Sequence, residues 1–244
     1  MAKETKLDDS AEIYTKRTQQ TEREKMSDMT FKEKREYFNT YYLRKTIVAI
    51  LAVTLLGYLL YQTLSPKPEE LLNVAVVNDY FESEKLKSFL SDLNTHFEVD
   101  PDNQKIMFDY SYYISDTDVS QNSVSSIQKL STYISAEQID VIIADEANFT
   151  TFMEQGYFID LAELLPADLY IELADLLCEG TVYDEDLDGV RTPLEHGTYG
   201  LRLDSSSGYA SSGSTMQKPV LGIVCNTKNA DNTIEFIRYL LESK

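Results

Sequence analysis

The residues with the clearest chemical pattern form an acidic segment in the C-terminal half of the chain. Asp184, Asp186 and Asp188 alternate along it, a glycine follows, and Glu195 comes after five further residues. This is the D-x-D-x-D-G-x5-E spacing of a calcium-binding loop. Calcium takes six to eight oxygen ligands, which carboxylates at this spacing supply together with a backbone carbonyl. The segment therefore predicts a calcium site.

Two residues of the same segment depart from the calcium-loop pattern. Arg191 stands where EF-hand loops carry an aliphatic residue, and Pro193 would hinder a helix that begins within the loop. The alternative is a β-hairpin turn at Asp188 and Gly189, because Asp-Gly between β-like segments is a strong hairpin signal. Both interpretations stay open at this point.

A second group of polar residues follows two predicted strands, at the ends where open α/β sheets carry their ligand sites. One interpretation is a shallow acidic and aromatic surface for a sugar, a cation or a protein. The alternative is that these residues cap helices and line solvated loops, which Asp and Asn commonly do at strand-to-helix junctions. The candidate ligand-binding residues are Asn78, Asp79, Tyr80, Asp145 and Glu146.

The chain offers little material for catalysis. Its two histidines are His96 and His196, and it contains no Walker A, G-x-S-x-G or H-E-x-x-H motif. The two cysteines, Cys178 and Cys225, either pair in one disulfide outside the cytosol or remain free as small buried residues. A protein that is not an enzyme is the expectation.

The charge is distributed unevenly. Residues 1–45 carry 11 Lys and Arg against 9 Asp and Glu, a net charge of +2, whereas residues 46–244 carry 11 against 32, a net charge of −21. A surface this acidic repels phosphate backbones, so nucleic acid is excluded as a partner of the C-terminal part.

Residues 46–64 predict a membrane-spanning helix. They contain no charged residue and are mostly apolar, and about 20 such residues cross the hydrocarbon core of a bilayer. A buried core helix would be shorter and amphipathic. A cleaved signal peptide is disfavoured by the long preceding region and by the lack of an A-x-A-like cleavage site.

Positive residues indicate how the helix is oriented. Arg44 and Lys45 lie directly before it, whereas the far side has Lys67 followed by two glutamates. The positive-inside rule then predicts a cytoplasmic tail at 1–45, a linker at 65–70 and an extracytoplasmic domain at 71–244. Within the tail, Thr30 and Glu33 form a capping-box pattern that predicts the start of a helix. This helix is either an amphipathic juxtamembrane helix at the lipid interface or an extension of the membrane span.

The C-terminal domain alternates between strand and helix patterns. Short apolar runs predict strands that are buried on both faces, which is typical of an α/β fold with a single open, mostly parallel sheet and flanking helices. In one helix Val124, Ile127, Leu130 and Ile134 recur at helical spacing and predict its buried face. The predicted strands are 71–78, 105–114, 139–144 and 220–225, and the helices are 83–94, 120–134, 149–155, 167–177 and 229–241.

Three segments of the domain resemble bacterial extracellular solute-binding proteins of the type 2 periplasmic-binding fold, such as the sugar-binding lipoproteins of Gram-positive transporters. They are residues 139–166 with their Gln-Gly-Tyr, residues 199–203 (YGLRL) and residues 222–241 with their Asn-Thr-Lys-Asn. In that family a second lobe lies between the last two segments. Here the Ser- and Gly-rich residues 204–218 take its place, and we expect a flexible loop there.

The resemblance implies one binding-protein lobe without its partner lobe. The expected function is therefore a membrane-anchored, non-enzymatic binding or interaction module, with a protein partner in a membrane complex or a small solute as its ligand. The alternative is a transporter-associated receptor for a sugar or a peptide.

The calcium hypothesis has a direct test. Millimolar Ca²⁺ should raise the melting temperature of the protein, because an ion that binds only the folded state stabilises it. The increase should vanish in Asp186→Ala. The absence of any increase in the unsubstituted protein would refute the site.

Overall fold

A computed structural model of the chain describes residues 21–27, 29–64, 68–115, 120–185 and 188–241. The chain divides into two compact units, Met1–Pro66 and Lys67–Lys244. Each unit is described on its own below.

Helices make up the described part of the N-terminal unit: α1 (Glu22–Ser27), α2 (Phe31–Tyr41) and α3 (Leu43–Leu64). The predicted capping box is confirmed, since the carboxylate of Glu33 accepts hydrogen bonds from the backbone N–H and the hydroxyl of Thr30, both at 2.8 Å. Helix α3 is long and apolar enough to cross a membrane, and none of its apolar stretch is buried in the structure. Its 22 residues correspond to a length of about 33 Å.

The C-terminal unit alternates strands and helices from its first described residues. Strand β1 begins at Glu69, so the predicted linker 65–70 is too long at its C-terminal end, and residues 65–67 lie outside the described residues. The elements are β1 (Glu69–Val77), α4 (Ser83–His96), β2 (Gln104–Tyr112), α5 (Gln121–Ser135), β3 (Val141–Asp145), α6 (Glu146–Glu154), α7 (Leu161–Leu164), α8 (Ala167–Glu172), β4 (Leu177–Glu185), β5 (Arg191–Arg202), α9 (Ser207–Ser211), β6 (Pro219–Ile223) and α10 (Ala230–Leu241).

One open six-stranded sheet, in the order β2-β1-β3-β6-β5-β4, organises this unit. Strand β1 pairs in parallel with β2 and β3, whereas the β3-β6, β6-β5 and β5-β4 pairs are antiparallel. Four strands therefore run in one direction, and β6 and β4 run in the other. The predicted α/β class is confirmed, and the antiparallel placement of β6 is the feature that the apolar pattern did not reveal.

Helices cover both faces of the sheet, which explains why its central strands are apolar throughout. Val74 and Val76 of β1 pack in a cluster with residues of α4 and α10, whereas Ala75 and Val77 pack in a second cluster with residues of α5 and α6. Successive side chains of a strand point to opposite faces, so both sets are buried.

Helix α5 is rotated from its predicted orientation. Leu130 and Ile134 are buried as expected, but Val124 and Ile127 are exposed. The hydroxyls of Ser123 and Ser126 face the sheet instead, where they accept hydrogen bonds from the backbone N–H groups of residues 115 and 113. Pairing of these N–H groups at the end of β2 determines which side of the helix is buried.

Helix α8 is shorter than predicted. It ends at Glu172 rather than near residue 177, because Leu177 is already the first residue of β4. A short turn separates the two elements.

The prediction of a flexible loop at residues 204–218 is wrong. Helix α9 forms within this segment, and Ser206, Tyr209 and Ser212 are buried. The Ser206 hydroxyl donates to the Leu240 carbonyl oxygen at 2.5 Å. We call residues 204–218 the strap, because they pack across α10 and the end of β1. Ser206 and Ser212 are the buried serines of the strap, and their hydroxyls donate to the backbone carbonyls of Leu240 and Tyr209.

Gly208 tests this packing. A Cβ at this position would lie inside the van der Waals distance of the Leu240 backbone, which cannot move aside as a flexible side chain would. Gly208→Ala should therefore lower the free energy of unfolding by about 1–3 kcal/mol, measured by chemical denaturation of the full chain in detergent micelles.

Ser207→Ala is the matched control, because Ser207 is an exposed residue of the same helix, and its effect should stay within about 0.5 kcal/mol. Equal and negligible effects of both substitutions would mean that the strap is not packed as described.

Candidate functional site

The five candidate ligand-binding residues lie together at the carboxyl ends of β1 and β3. We call this end of the sheet, where β1 and β3 finish, the carboxyl edge. Asn78 follows β1 in a left-handed backbone conformation, with φ of 60°, which Asn tolerates better than most residues. Its side chain donates to the Ile114 carbonyl at 2.6 Å and accepts from the Ile114 N–H at 2.8 Å. It also donates to Asp145 at 3.4 Å. Hydrogen bonds of Asn78 therefore link the carboxyl ends of β1, β2 and β3.

Asp79 is buried, with 4% of its surface exposed. Its carboxylate accepts hydrogen bonds from the Tyr209 hydroxyl at 2.8 Å, the Ser214 hydroxyl at 2.5 Å and the Thr215 N–H at 3.0 Å. The N–H of Tyr80 donates to it as well, at 2.7 Å. Hydrogen bonds from the strap thus satisfy this carboxylate. Burial of the Tyr209 phenol beside it raises the pKa of Tyr209 well above its ordinary value.

Asp145 and Glu146 have different environments. Asp145 caps helix α6, since its carboxylate accepts from the N–H groups of residues 147 and 148, both at 3.1 Å. Glu146 is exposed and forms an ion pair with Lys218 at 2.9 Å. Asp145 therefore acts as the helix cap that the alternative expects, and Glu146 is exposed in its ion pair with Lys218.

Aromatic residues lie beside the same edge. Tyr80 is 72% exposed and Tyr110 is 48% exposed. The Phe81 ring packs edge-on against Tyr110, with 5.3 Å between ring centroids. Of the five predicted residues, Tyr80 and Glu146 are thus the two whose side chains face outward.

A cavity of about 350 Å³ opens next to Glu146. We call it the carboxyl-edge pocket. It lies where the end of β3, the end of β5 and the start of β6 meet. Its lining residues are Glu146, Asp175, Leu176, Cys178, Arg202, Asp204, Ser205, Lys218 and Val220.

The pocket combines charges of both signs around a thiol. Burial raises the pKa of Cys178, the nearby Arg202 opposes this increase, and Glu146 and Asp204 add to it. The Arg202 guanidinium donates to the Asp175 carbonyl at 2.6 Å. Sequence reasoning identified Glu146 alone in this pocket, because the other charged residues come from segments that only the sheet pairing brings together.

The predicted hairpin at Asp188 and Gly189 is confirmed, because β4 and β5 pair as neighbouring antiparallel strands on either side of it. Asp184 lies opposite Thr192 in this ladder, and Glu195 lies opposite Val182. Among the described residues no group of three or more acidic, His or Cys side chains is placed to hold a metal ion. Asp186 lies outside the described residues, so the calcium site stays a prediction.

Cys178 and Cys225 are both free thiols. Cys178 is half-buried in the pocket, whereas Cys225 is exposed after β6. The structure therefore favours the free-cysteine alternative over a disulfide.

The contact between Asp79 and the strap can be measured with a double-mutant cycle. Asp79→Ala should lower the free energy of unfolding by about 2–4 kcal/mol, because it leaves buried donors unpaired. Tyr209→Phe should lower it by about 1.5–3 kcal/mol. The double variant should cost less than the sum, with a coupling of about 1 kcal/mol or more, in chemical denaturation of the full chain.

The control is Tyr80→Phe, which removes an exposed hydroxyl at the same edge and should change stability by less than about 0.5 kcal/mol. Additive effects of Asp79→Ala and Tyr209→Phe would show that the two groups do not interact.

Comparison of the chain with protein-family models, with curated proteins and with solved structures yields no match. The resemblance to solute-binding lobes therefore stays a prediction drawn from the three sequence segments.

Proposed function

We propose that this chain is a membrane-anchored, non-enzymatic binding or interaction module whose α/β domain lies outside the cytoplasm and meets a protein partner. The proposal rests on which side chains are exposed at the carboxyl edge of the sheet. The chain's own strap saturates Asp79 there, and exposed groups such as Tyr80 and Glu146 are left. An exposed tyrosine suits the core of a contact with another protein, and a charged residue such as Glu146 suits its polar rim.

Helix α3 supports the anchoring part of the proposal. It is long and apolar enough to span a bilayer, and Arg44 and Lys45 lie at its N-terminal end. Positive residues favour the cytoplasmic side, so residues 68–241 would lie on the other side.

The placement of the histidines supports a non-enzymatic function. His96 contacts Glu235 at 2.7 Å next to the aromatic rings of Phe97 and Tyr239. His196 lies in the exposed β4-β5 hairpin. Neither environment pairs a histidine with a described nucleophile, as acid-base or covalent catalysis by His would require.

The second candidate function is a transporter-associated receptor for a sugar or a peptide. The exposed Tyr110 packed against Phe81 favours it, because aromatic rings with polar neighbours line many small-molecule sites. Calorimetric titration with oligosaccharides and peptides separates the two functions. Micromolar binding would favour the receptor, whereas an interaction module with one open lobe should bind these solutes weakly.

Site-specific crosslinking tests the leading proposal in intact cells. Tyr80→Cys, made together with Cys225→Ser, is treated with a membrane-impermeant maleimide that carries a photoreactive group. The expected result is labelling without permeabilisation, followed by a discrete crosslinked product on illumination. Cys178 should react slowly, because it is half-buried and its pKa is raised.

Ile171→Cys in the same background is the matched control, since Ile171 is 74% exposed and Tyr80 is 72% exposed. It should be labelled equally and yield no such product. Labelling that needs permeabilisation would contradict the orientation, and the same product from both positions would contradict the carboxyl edge as the contact surface.

A further inference from the structure

Helix α2, directly before the candidate membrane span, exposes a row of aromatic rings. Phe31 is 85% exposed, Phe38 41% and Tyr41 60%, and none of the residues of α2 is buried in the described structure. The rings lie against one another along the helix. Phe38 stacks on Tyr42 with 6.1 Å between ring centroids, and Tyr37 packs against Tyr41 at 4.7 Å. Exposed aromatic side chains in such a row indicate a surface that another apolar environment covers.

The charges of α2 are separated around its axis. At about 100° per residue, Lys34 and Arg35 lie within about 60° of Phe31, whereas Glu33 and Glu36 lie about 140–160° from it. The aromatic side of the helix therefore carries cations, and the opposite side carries the carboxylates. We call the first side the basic aromatic face, which consists of Phe31, Lys34, Arg35, Phe38, Tyr41 and Tyr42.

The face continues into the start of α3. The Lys45 ammonium lies 5.9 Å from the centroid of the Tyr42 ring. The Tyr42 N–H donates to the Phe38 carbonyl and the Thr46 N–H donates to the Tyr42 carbonyl, both at 2.8 Å, so helical hydrogen bonds run through the joint. Tyr42 itself has φ of −115° and ψ of −27°, whereas a regular helix has about −63° and −42°. The backbone is thus distorted at the joint between α2 and α3.

Distances along the helix show what an upright α2 would leave in water. Residues 46–64 are uncharged, so the hydrocarbon core would begin near residue 46. Tyr42 lies about 6 Å beyond that point, Phe38 about 12 Å and Phe31 roughly 22 Å. The polar region of one leaflet is only about 5–8 Å thick. An inclination of α2 at Tyr42 would bring Phe38 and Phe31 back to the interface.

We propose that the basic aromatic face of α2 binds the surface of an anionic lipid bilayer. The helix inclines at Tyr42, its aromatic rings enter the boundary between headgroups and acyl chains, and Lys34, Arg35 and Lys45 contact the lipid phosphates. A second copy of the chain fits this face less well, because pairing the face with itself would bring cations of both copies together. The proposal rests on the membrane-anchoring part of the proposed function and is independent of the carboxyl edge.

Tryptophan fluorescence tests the lipid contact, because the chain contains no tryptophan of its own. Phe38→Trp places one on the basic aromatic face. Thr40→Trp is the matched control on the opposite side, where the Thr40 hydroxyl donates to the Glu36 carbonyl at 2.8 Å. The full chain is reconstituted in nanodiscs of phosphatidylcholine that is brominated near the headgroup, with or without phosphatidylglycerol.

The quenched fraction of the emission gives the equilibrium constant between bound and free α2. For Phe38→Trp it should be at least about tenfold larger in the anionic discs, because each cation near an anionic surface contributes a factor of about five. Thr40→Trp should be quenched little in both kinds of disc. Equal quenching of the two reporters, or equal quenching of Phe38→Trp in both kinds of disc, would overturn the proposal.

Charge substitutions in the Phe38→Trp chain assign the effect to the face. Lys34→Gln and Arg35→Gln should each lower the constant about fivefold in the anionic discs. Lys32→Gln removes the same charge about 100° around the helix from Phe31 and should change the constant by less than about twofold, since solvent screens a cation that points away from the lipid. Equal effects of the three substitutions would refute the face as the binding surface.

Two further measurements separate the other outcomes. Val53 lies in the middle of α3 and is 71% exposed, so Val53→Trp should be quenched equally in both kinds of disc if α3 spans the bilayer. Quenching of Val53→Trp without preferential quenching of Phe38→Trp in the anionic discs would overturn the lipid contact alone, whereas no quenching of Val53→Trp would contradict the anchor as well. Protection of Phe38→Trp from acrylamide only in discs that hold two copies would identify a second copy as the occupant and overturn the proposal.

Discussion

The described architecture of the carboxyl edge depends on the hydrogen bonds that the buried carboxylate of Asp79 accepts. A charge removed from water is costly unless hydrogen bonds replace its hydration. No cation pairs with Asp79 among the described residues, and the donors are three hydroxyls and two backbone N–H groups. Four of these donors belong to the strap, so the strap has to be ordered for the edge to be stable. That ordering fills the space in front of β1 and leaves the carboxyl-edge pocket to one side, between β3 and β5.

At the amino ends of β1 and β3, the chain's own polar groups also satisfy a buried carboxylate. Asp140, before β3, is buried and accepts from the Asn73 N–H at 2.8 Å, from the Thr227 hydroxyl at 2.5 Å and from the Asn229 amide at 3.1 Å. The chain's own polar groups therefore satisfy a carboxylate at each end of the central strands. Both networks link residues far apart in sequence, so they couple the C-terminal segments to the first strands of the same unit.

Periodicity in the sequence was sufficient to predict most elements, because β1, α4, β3 and α10 are defined by apolar spacing that the core directly requires. It failed where polar contacts between distant segments decide the outcome. In the first half of α5, Ser123 and Ser126 are buried where Val124 and Ile127 were expected, because the serine hydroxyls pair N–H groups just after β2. The composition of the strap predicted a flexible loop, yet Ser206, Tyr209 and Ser212 are buried. Arg202 drew no attention as a site residue because its pocket exists only once β3, β5 and β6 are placed side by side.

The proposed membrane anchor changes what an open, shallow surface can achieve. A domain that does not close around its ligand buries little of it, so under this proposal its intrinsic affinity is expected to be low. Confinement to a membrane raises the effective concentration of any partner held in the same membrane, and weak contacts then suffice for occupancy. The net charge of −21 on residues 46–244 favours partners with a cationic surface through electrostatic steering. These arguments support the proposed recognition of another membrane-held protein over high-affinity capture of a dilute solute.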